Sequence, residues 1–188
     1  MMCGRMNVSD NLMIKALFDS LGIVFKLLPN EDLRPSQVVA TITSIDNRLQ
    51  QHNTTWGIKP AWSKKLLINA QSETVATKQT FKNAFAMRRC LVPCDGWYEW
   101  RDEGDKRKKK YLFSHASGEP FYMAGIWHEP DNQLVTLTTR PNDKCAEFHH
   151  RMPVLIEPTN FDYWFNSSPN ELASLMSALD SDLILVTS

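Results

Sequence analysis

Arg89-Cys90-Leu91-Val92-Pro93-Cys94-Asp95-Gly96-Trp97-Tyr98-Glu99-Trp100 holds two short apolar and aromatic runs, 89–93 and 96–100, separated by turn-forming residues. Working outward, the same signature returns at Lys110-Tyr111-Leu112-Phe113, at Phe121-Tyr122-Met123-Ala124-Gly125-Ile126-Trp127, at Leu134-Val135-Thr136-Leu137-Thr138-Thr139 and at Met152-Pro153-Val154-Leu155-Ile156. Strands recurring at such short spacing predict a curved, barrel-like and mostly antiparallel β core. A strand over residues 37–43 precedes them and one over 182–187 closes the chain. Helices are expected at the periphery: 11–21, capped by Ser9-Asp10 and ended by Gly22; 81–88, after Thr80; 160–165; and 170–179, after Ser167-Ser168-Pro169. Helix 81–88 should turn Lys82, Arg88 and Arg89 outward. With no repeat or linker to divide it, residues 1–188 read as one α+β domain.

Composition limits the function classes. A chain of 188 residues with 43% hydrophobic and 22% charged residues is ordinary for a soluble globular protein. No apolar run approaches the length of a membrane span, and the start lacks a secretory pattern, so the chain reads as intracellular. Four cysteines, Cys3, Cys90, Cys94 and Cys145, are too few for a disulfide framework. The formal net charge is zero, which excludes coating nucleic acid by bulk charge but leaves room for a local basic groove.

Cys3, in Met1-Met2-Cys3-Gly4-Arg5, carries the sharpest chemistry. A cysteine at a true N-terminus joins a thiol of pKa about 8.5 to an amine of about 7.7 to 8. Such a 1,2-aminothiol captures aldehydes, first as an imine and then as a thiazolidine. The competing reading is an ordinary small buried cysteine. Glu99 lies between Tyr98 and Trp100; an apolar wall would raise its pKa, although strand alternation points it outward to solvent. His149 and Arg151 in His149-His150-Arg151-Met152-Pro153 suit proton transfer and phosphate binding. Asn69 stands at a strand end, where its amide could meet an oxyanion or cap a turn. Cys90, Cys94, Cys145 and His149 together have a zinc-like count, weighed against by the apolar strand around Cys90 and by Pro93. Trp56 and Trp62 read as exposed aromatics beside Arg5, Arg34, Lys59, Lys64, Lys65, Arg88, Arg89 and Arg151, a pattern suited to single strands. The run 106–110 reads as a solvated hairpin loop.

These pieces, taken in order, resemble the SRAP family, the SOS-response-associated peptidases that process abasic sites. The resemblance covers residues 3–156 and rests on Cys3-Gly4-Arg5, Trp56-Gly57-Ile58-Lys59-Pro60-x-Trp62, Asn69-Ala70-x-x-Glu73-Thr74, residues 89–100, Ala124-Gly125-Ile126-Trp127 and His149-x-Arg151-Met152-Pro153. It implies the SRAP fold and an enzyme of the DNA-damage response that cross-links covalently to abasic sites in single-stranded DNA. Cys3 matches the nucleophile, and Asn69, Glu99 and His149 match the other catalytic positions. Arg5 and Arg151 match phosphate contacts; Pro35 and Trp56 match the part that shapes the cleft. No cofactor and no metal are implied, and the expected form is a monomer in the cytoplasm, associated with the nucleoid in a bacterium. Gln71 stands where the family usually has arginine, so one phosphate contact should be missing. Because two methionines precede Cys3, the resemblance also implies removal of Met1-Met2, by self-processing or by initiation at Met2, before the amine is free. A noncovalent single-strand binder and a thiol peptidase remain the alternatives.

Overall fold

The strands sort into two sheets, one in which buried and part-exposed side chains alternate and one with several strands buried on both faces. In chain order the elements of this computed structural model, which describes residues 3–104 and 106–188, are β1 (Met6–Val8), α1 (Leu12–Ser20), β2 (Asn30–Leu33), β3 (Val38–Ile45), β4 (Arg48–Trp56), β5 (Asn69–Gln71), α2 (Lys82–Met87), β6 (Arg89–Cys94), β7 (Gly96–Arg101), β8 (Lys109–His115), β9 (Phe121–His128), β10 (Gln133–Thr139), α3 (Asp143–Ala146), β11 (Met152–Pro153), α4 (Phe161–Asn166) and β12 (Ile184–Thr187). One sheet runs β12-β8-β7-β1-β2. The other runs β11-β10-β4-β3-β6-β9, and β9 pairs back onto β10 through Leu134↔Trp127 and Val135↔Ile126. This second sheet is therefore strongly curled, though not a strict barrel. Pairing is antiparallel except where β10 meets β4 and β5.

Apolar side chains fill two clusters. One, around Phe18, Ile42, Phe85, Ile126 and Trp164, lies under the helices. The other, around Trp56, Trp97, Phe113 and Met152, includes Cys3 and Cys145. Gly96 lets β7 and β8 approach within the five-stranded sheet: a Cβ there would stand 2.1 Å from the Phe113 carbonyl oxygen, so no other residue permits the β7–β8 register. That register aims Trp97 and Glu99 inward and leaves Tyr98 and Trp100 half-buried.

The helical expectations shift in detail. Asn11 itself caps α1, accepting from Met13 N, while Asp95 accepts from Ser9 N and from Asn11 Nδ2. Phe81 rather than Thr80 precedes α2, with no side-chain cap. Residues 169–176 form a tighter 3-10 turn, opened by a capping box between Ser168 and Glu171. At the end, only Ile184–Thr187 pair with β8, since Ser181–Leu183 turn first. Of the expected strand 152–156, only Met152–Pro153 pair along β10, with an isolated bridge from Leu155 to Met123. Arg89, expected to face outward, is buried; its guanidinium donates to the carbonyls of Phe85, Trp164, Phe165 and Ser167 and so satisfies the C-terminal end of α4. No helix among the described residues is long and apolar enough to cross a membrane.

Candidate active site

Glu99 reverses its expected orientation, because β7 turns the carboxylate toward the core, where it is 4% exposed. A carboxylate buried there needs partners. Its Oε1 accepts from Cys3 N at 2.8 Å. Burial raises the Glu99 pKa, and hydrogen bonds from the Cys3 side chain and backbone pull it part of the way back. The Cys3 thiol is also pushed well up, first by burial and then by the charge of Glu99 and a hydrogen bond to it. Cys3 has φ of +40°, a conformation that a side-chain-bearing residue adopts only when its surroundings impose it. Met1 and Met2, whose removal the sequence reading requires, lie outside the described residues.

Above this pair opens a cleft of about 440 Å³ lined by Gly4, Arg5, Glu99, Trp100, Lys108 and His149. His149 Nδ1 accepts from Arg151 N at 3.1 Å, so the neutral ring carries its proton on Nε2. Burial lowers the His149 pKa, and neighbouring His150, stacked at 4.3 Å, lowers it further. The imidazole thus stays neutral to a lower pH than an ordinary histidine. Lys108 reaches this cleft, so the basic run is not merely a solvated loop.

Arg151 is buried, and Glu73 takes up its guanidinium as a fork: Nη1 to Oε1 and Nη2 to Oε2, both at 2.7 Å, with Nη2 also donating to Thr138 O at 2.5 Å. The same guanidinium lowers the Glu73 pKa through its hydrogen bonds. The expected phosphate ligand is therefore a buried brace between β10 and the segment carrying His149. Asn69, on β5, accepts from Thr136 Oγ1 at 2.5 Å and does not line the cleft. Arg5, at the cleft wall, is paired with Asp32. Pro35 is half-buried beyond β2. Trp56 is fully buried, its Nε1 donating to Ile68 O at 3.1 Å, which overturns its reading as an exposed aromatic. Trp62 is the exposed one, at 69%. Cys90 and Cys94 are buried in β6, and among the described residues no three His, Cys, Asp or Glu side chains stand close enough to hold a metal.

Two features escaped sequence reasoning. Cys145, on α3, shares the apolar cluster of Cys3, and burial pushes its thiol up to about 12. Glu73 was visible only as a motif letter without a role. A larger cavity, about 610 Å³ beside Glu73, Thr139 and Met176, is lined by none of the expected catalytic residues.

A family model described as SOS response associated peptidase (SRAP) matches residues 2–187. The chain belongs to that family. Among SRAP relatives, the abasic site processing protein YoqW of Bacillus subtilis (strain 168) is 30% identical across 96% of this chain and 89% of its own length. The abasic site processing protein YoaM of the same organism is 28% identical across 96% of this chain and 88% of its own length. The SRAP chain also superposes on a crystal structure of a protein from Bacteroides thetaiotaomicron with a TM-score of 0.83, at 24% identity and covering 98% and 90% of the two chains, a likeness of fold.

Proposed function

We infer that this SRAP chain processes abasic sites in DNA, and that it does so by covalent capture in single strands through Cys3 once the residues before it are removed. The observation that carries this reading is the 2.8 Å hydrogen bond from Cys3 N to the buried Glu99 carboxylate at the floor of the cleft shared with His149. An N-terminal ammonium cannot attack a carbonyl until it loses a proton, and Glu99 is the group in reach to accept it. The amine then adds to the aldehyde of the ring-opened sugar. Loss of one water, with the proton that Glu99 took from the amine passing to the departing oxygen while His149 Nε2–H hydrogen-bonds to that oxygen, leaves an imine. The Cys3 sulfur adds to the imine carbon, its proton goes to nitrogen, and a thiazolidine closes.

Burial suits this order of events. A thiol pushed well above its usual pKa stays protonated and does not compete for the aldehyde, whereas the amine is deprotonated by its neighbour. Asn69, off the cleft wall on β5, orients the terminus rather than the sugar, and Arg5 holds the strand at the cleft wall. Arg151 acts from behind by fixing the His149 segment. Trp62 replaces Trp56 as the aromatic available for stacking on a base. Hydrolysis of the bond before Cys3 frees the amine, with the Cys3 thiol as nucleophile and Glu99, bonded to Cys3 N, as the acid–base group.

Intact-mass spectrometry tests the reading directly. A chain beginning at Cys3, incubated with a single-stranded oligonucleotide carrying one abasic site, should gain the mass of the oligonucleotide less one water. A chain with a verified free Cys3 amine that gains no mass sinks the covalent mechanism.

A further inference from the structure

Asp32 sits on β2, at the edge of the five-stranded sheet, and three cations converge on its carboxylate. Arg5 Nη1 lies 2.5 Å from Oδ1; Arg34 places Nη2 2.5 Å and Nε 3.0 Å from Oδ2; Lys110 Nζ lies 3.8 Å from Oδ1. Three cations share this one carboxylate, which leaves them donors that it does not use. The aromatic face of β7 supports it: Lys110 Nζ rests 3.6 Å from the Tyr98 ring centroid, and the Arg5 guanidinium 5.6 Å from that of Trp100. Long basic side chains usually lose rotamer freedom when they bind, and here the carboxylate and the rings have already ordered them. The cluster remains open to solvent, with Arg34 57% and Lys110 42% exposed. It is also continuous with the cleft, since Arg5 and Trp100 line both. Glu31 and Asp95 act on Tyr98 from nearby, and Asp95 is itself held by Ser9 and Asn11.

We propose that Arg5, Arg34 and Lys110, held in place by Asp32, form a phosphate-binding cluster at the mouth of the cleft. Its ligand is the sugar–phosphate backbone of the single strand flanking the abasic site, an identity that rests on the function proposed above. A chain of zero net charge has no bulk attraction for DNA, so a locally ordered cluster of cations supplies it. The cluster also offers the phosphate contacts that Gln71 cannot.

The test leaves the cleft intact. A double variant, Arg34→Gln with Lys110→Gln, is titrated with a lesion-free single-stranded oligonucleotide by fluorescence anisotropy between 50 and 200 mM salt. Two lost contacts lower the log–log salt slope by about 1.4, so the affinity advantage of the wild type shrinks about sevenfold across that range. A control with the same charge change elsewhere, Lys15→Gln with Lys26→Gln, keeps the wild-type slope, and thermal melts verify that both variants fold. An unchanged slope in the double variant, or an equal drop in the control, overturns the proposal. If the wild type binds with the expected slope difference but forms no adduct with an abasic oligonucleotide, the cluster stands and the capture reaction falls. A wild type that binds no single strand overturns both.

Discussion

Glu99→Gln separates chemistry from stability, because one carboxylate is asked to serve the first and burdens the second. Glutamine keeps the shape and an acceptor for Cys3 N but cannot take a proton. Removing a general base that works at this position should slow adduct formation by about 10² to 10⁴. Stability should move the other way. Glu99 is raised in the folded state by burial, so between its unfolded and folded pKa values the native chain holds a proton that the unfolded chain has released. Wild-type stability therefore falls as pH rises through that window, by about 1.4 kcal/mol for every tenfold difference in proton affinity between the folded and unfolded chains. The glutamine variant lacks this loss, so its advantage should be absent at acid pH and complete above the folded pKa. The rate is read as the time course of adduct mass for a chain beginning at Cys3; the stability, as urea melts from pH 4 to 8 on chains that still carry Met1-Met2. A variant that captures within threefold of the wild-type rate refutes Glu99 as the base. A stability difference independent of pH refutes its burial as a titrating group.

Three further outcomes follow from the geometry. The pH–rate profile for capture should keep its acid limb below 6.5, because burial lowers His149, and His149→Ala should slow capture at least tenfold; full speed would remove the imidazole from the mechanism. Glu73→Gln strips the carboxylate from the buried Arg151 guanidinium and should cost about 2 kcal/mol at pH 7, measured by urea melts, a figure reduced from that of a fully buried pair because Glu73 is 39% exposed. Since Arg151 depresses the Glu73 pKa, that wild-type advantage is present above the unfolded value and should fade as pH falls through the folded one. The two tryptophans should split cleanly: Trp62→Ala weakens single-strand binding by about 1 to 3 kcal/mol with stability unchanged, whereas Trp56→Ala loses about 3 to 5 kcal/mol of stability; equal effects on binding would return Trp56 to the strand's path.

Local pattern determined a good deal about this chain. The strands from β6 to β10 and helix α1 announce themselves through runs of apolar residues and turn signals within a few positions of their ends. Cys3, Glu99 and His149 were nameable because their order among short motifs resembles a family, and the family model bears out that membership. β4 was hidden, since Arg48-Leu49-Gln50-Gln51-His52-Asn53-Thr54-Thr55-Trp56 is mostly polar and becomes a strand only by pairing along the whole of β3. Orientation was hidden as well. Alternation places Tyr98 and Trp100 on one face of β7 and Glu99 on the other, but which face is buried depends on the cluster around Trp97 and Met152, assembled from segments far apart in the chain. For the same reason Trp56 and Trp62, alike in sequence context, end as a core residue and an exposed one. Arg151 reads in sequence as a phosphate ligand and stands in the structure as the partner of Glu73, 78 positions away. Residue type and spacing decide what chemistry a side chain can perform; burial, partners and direction arise from long-range packing, and only the tertiary structure decides them.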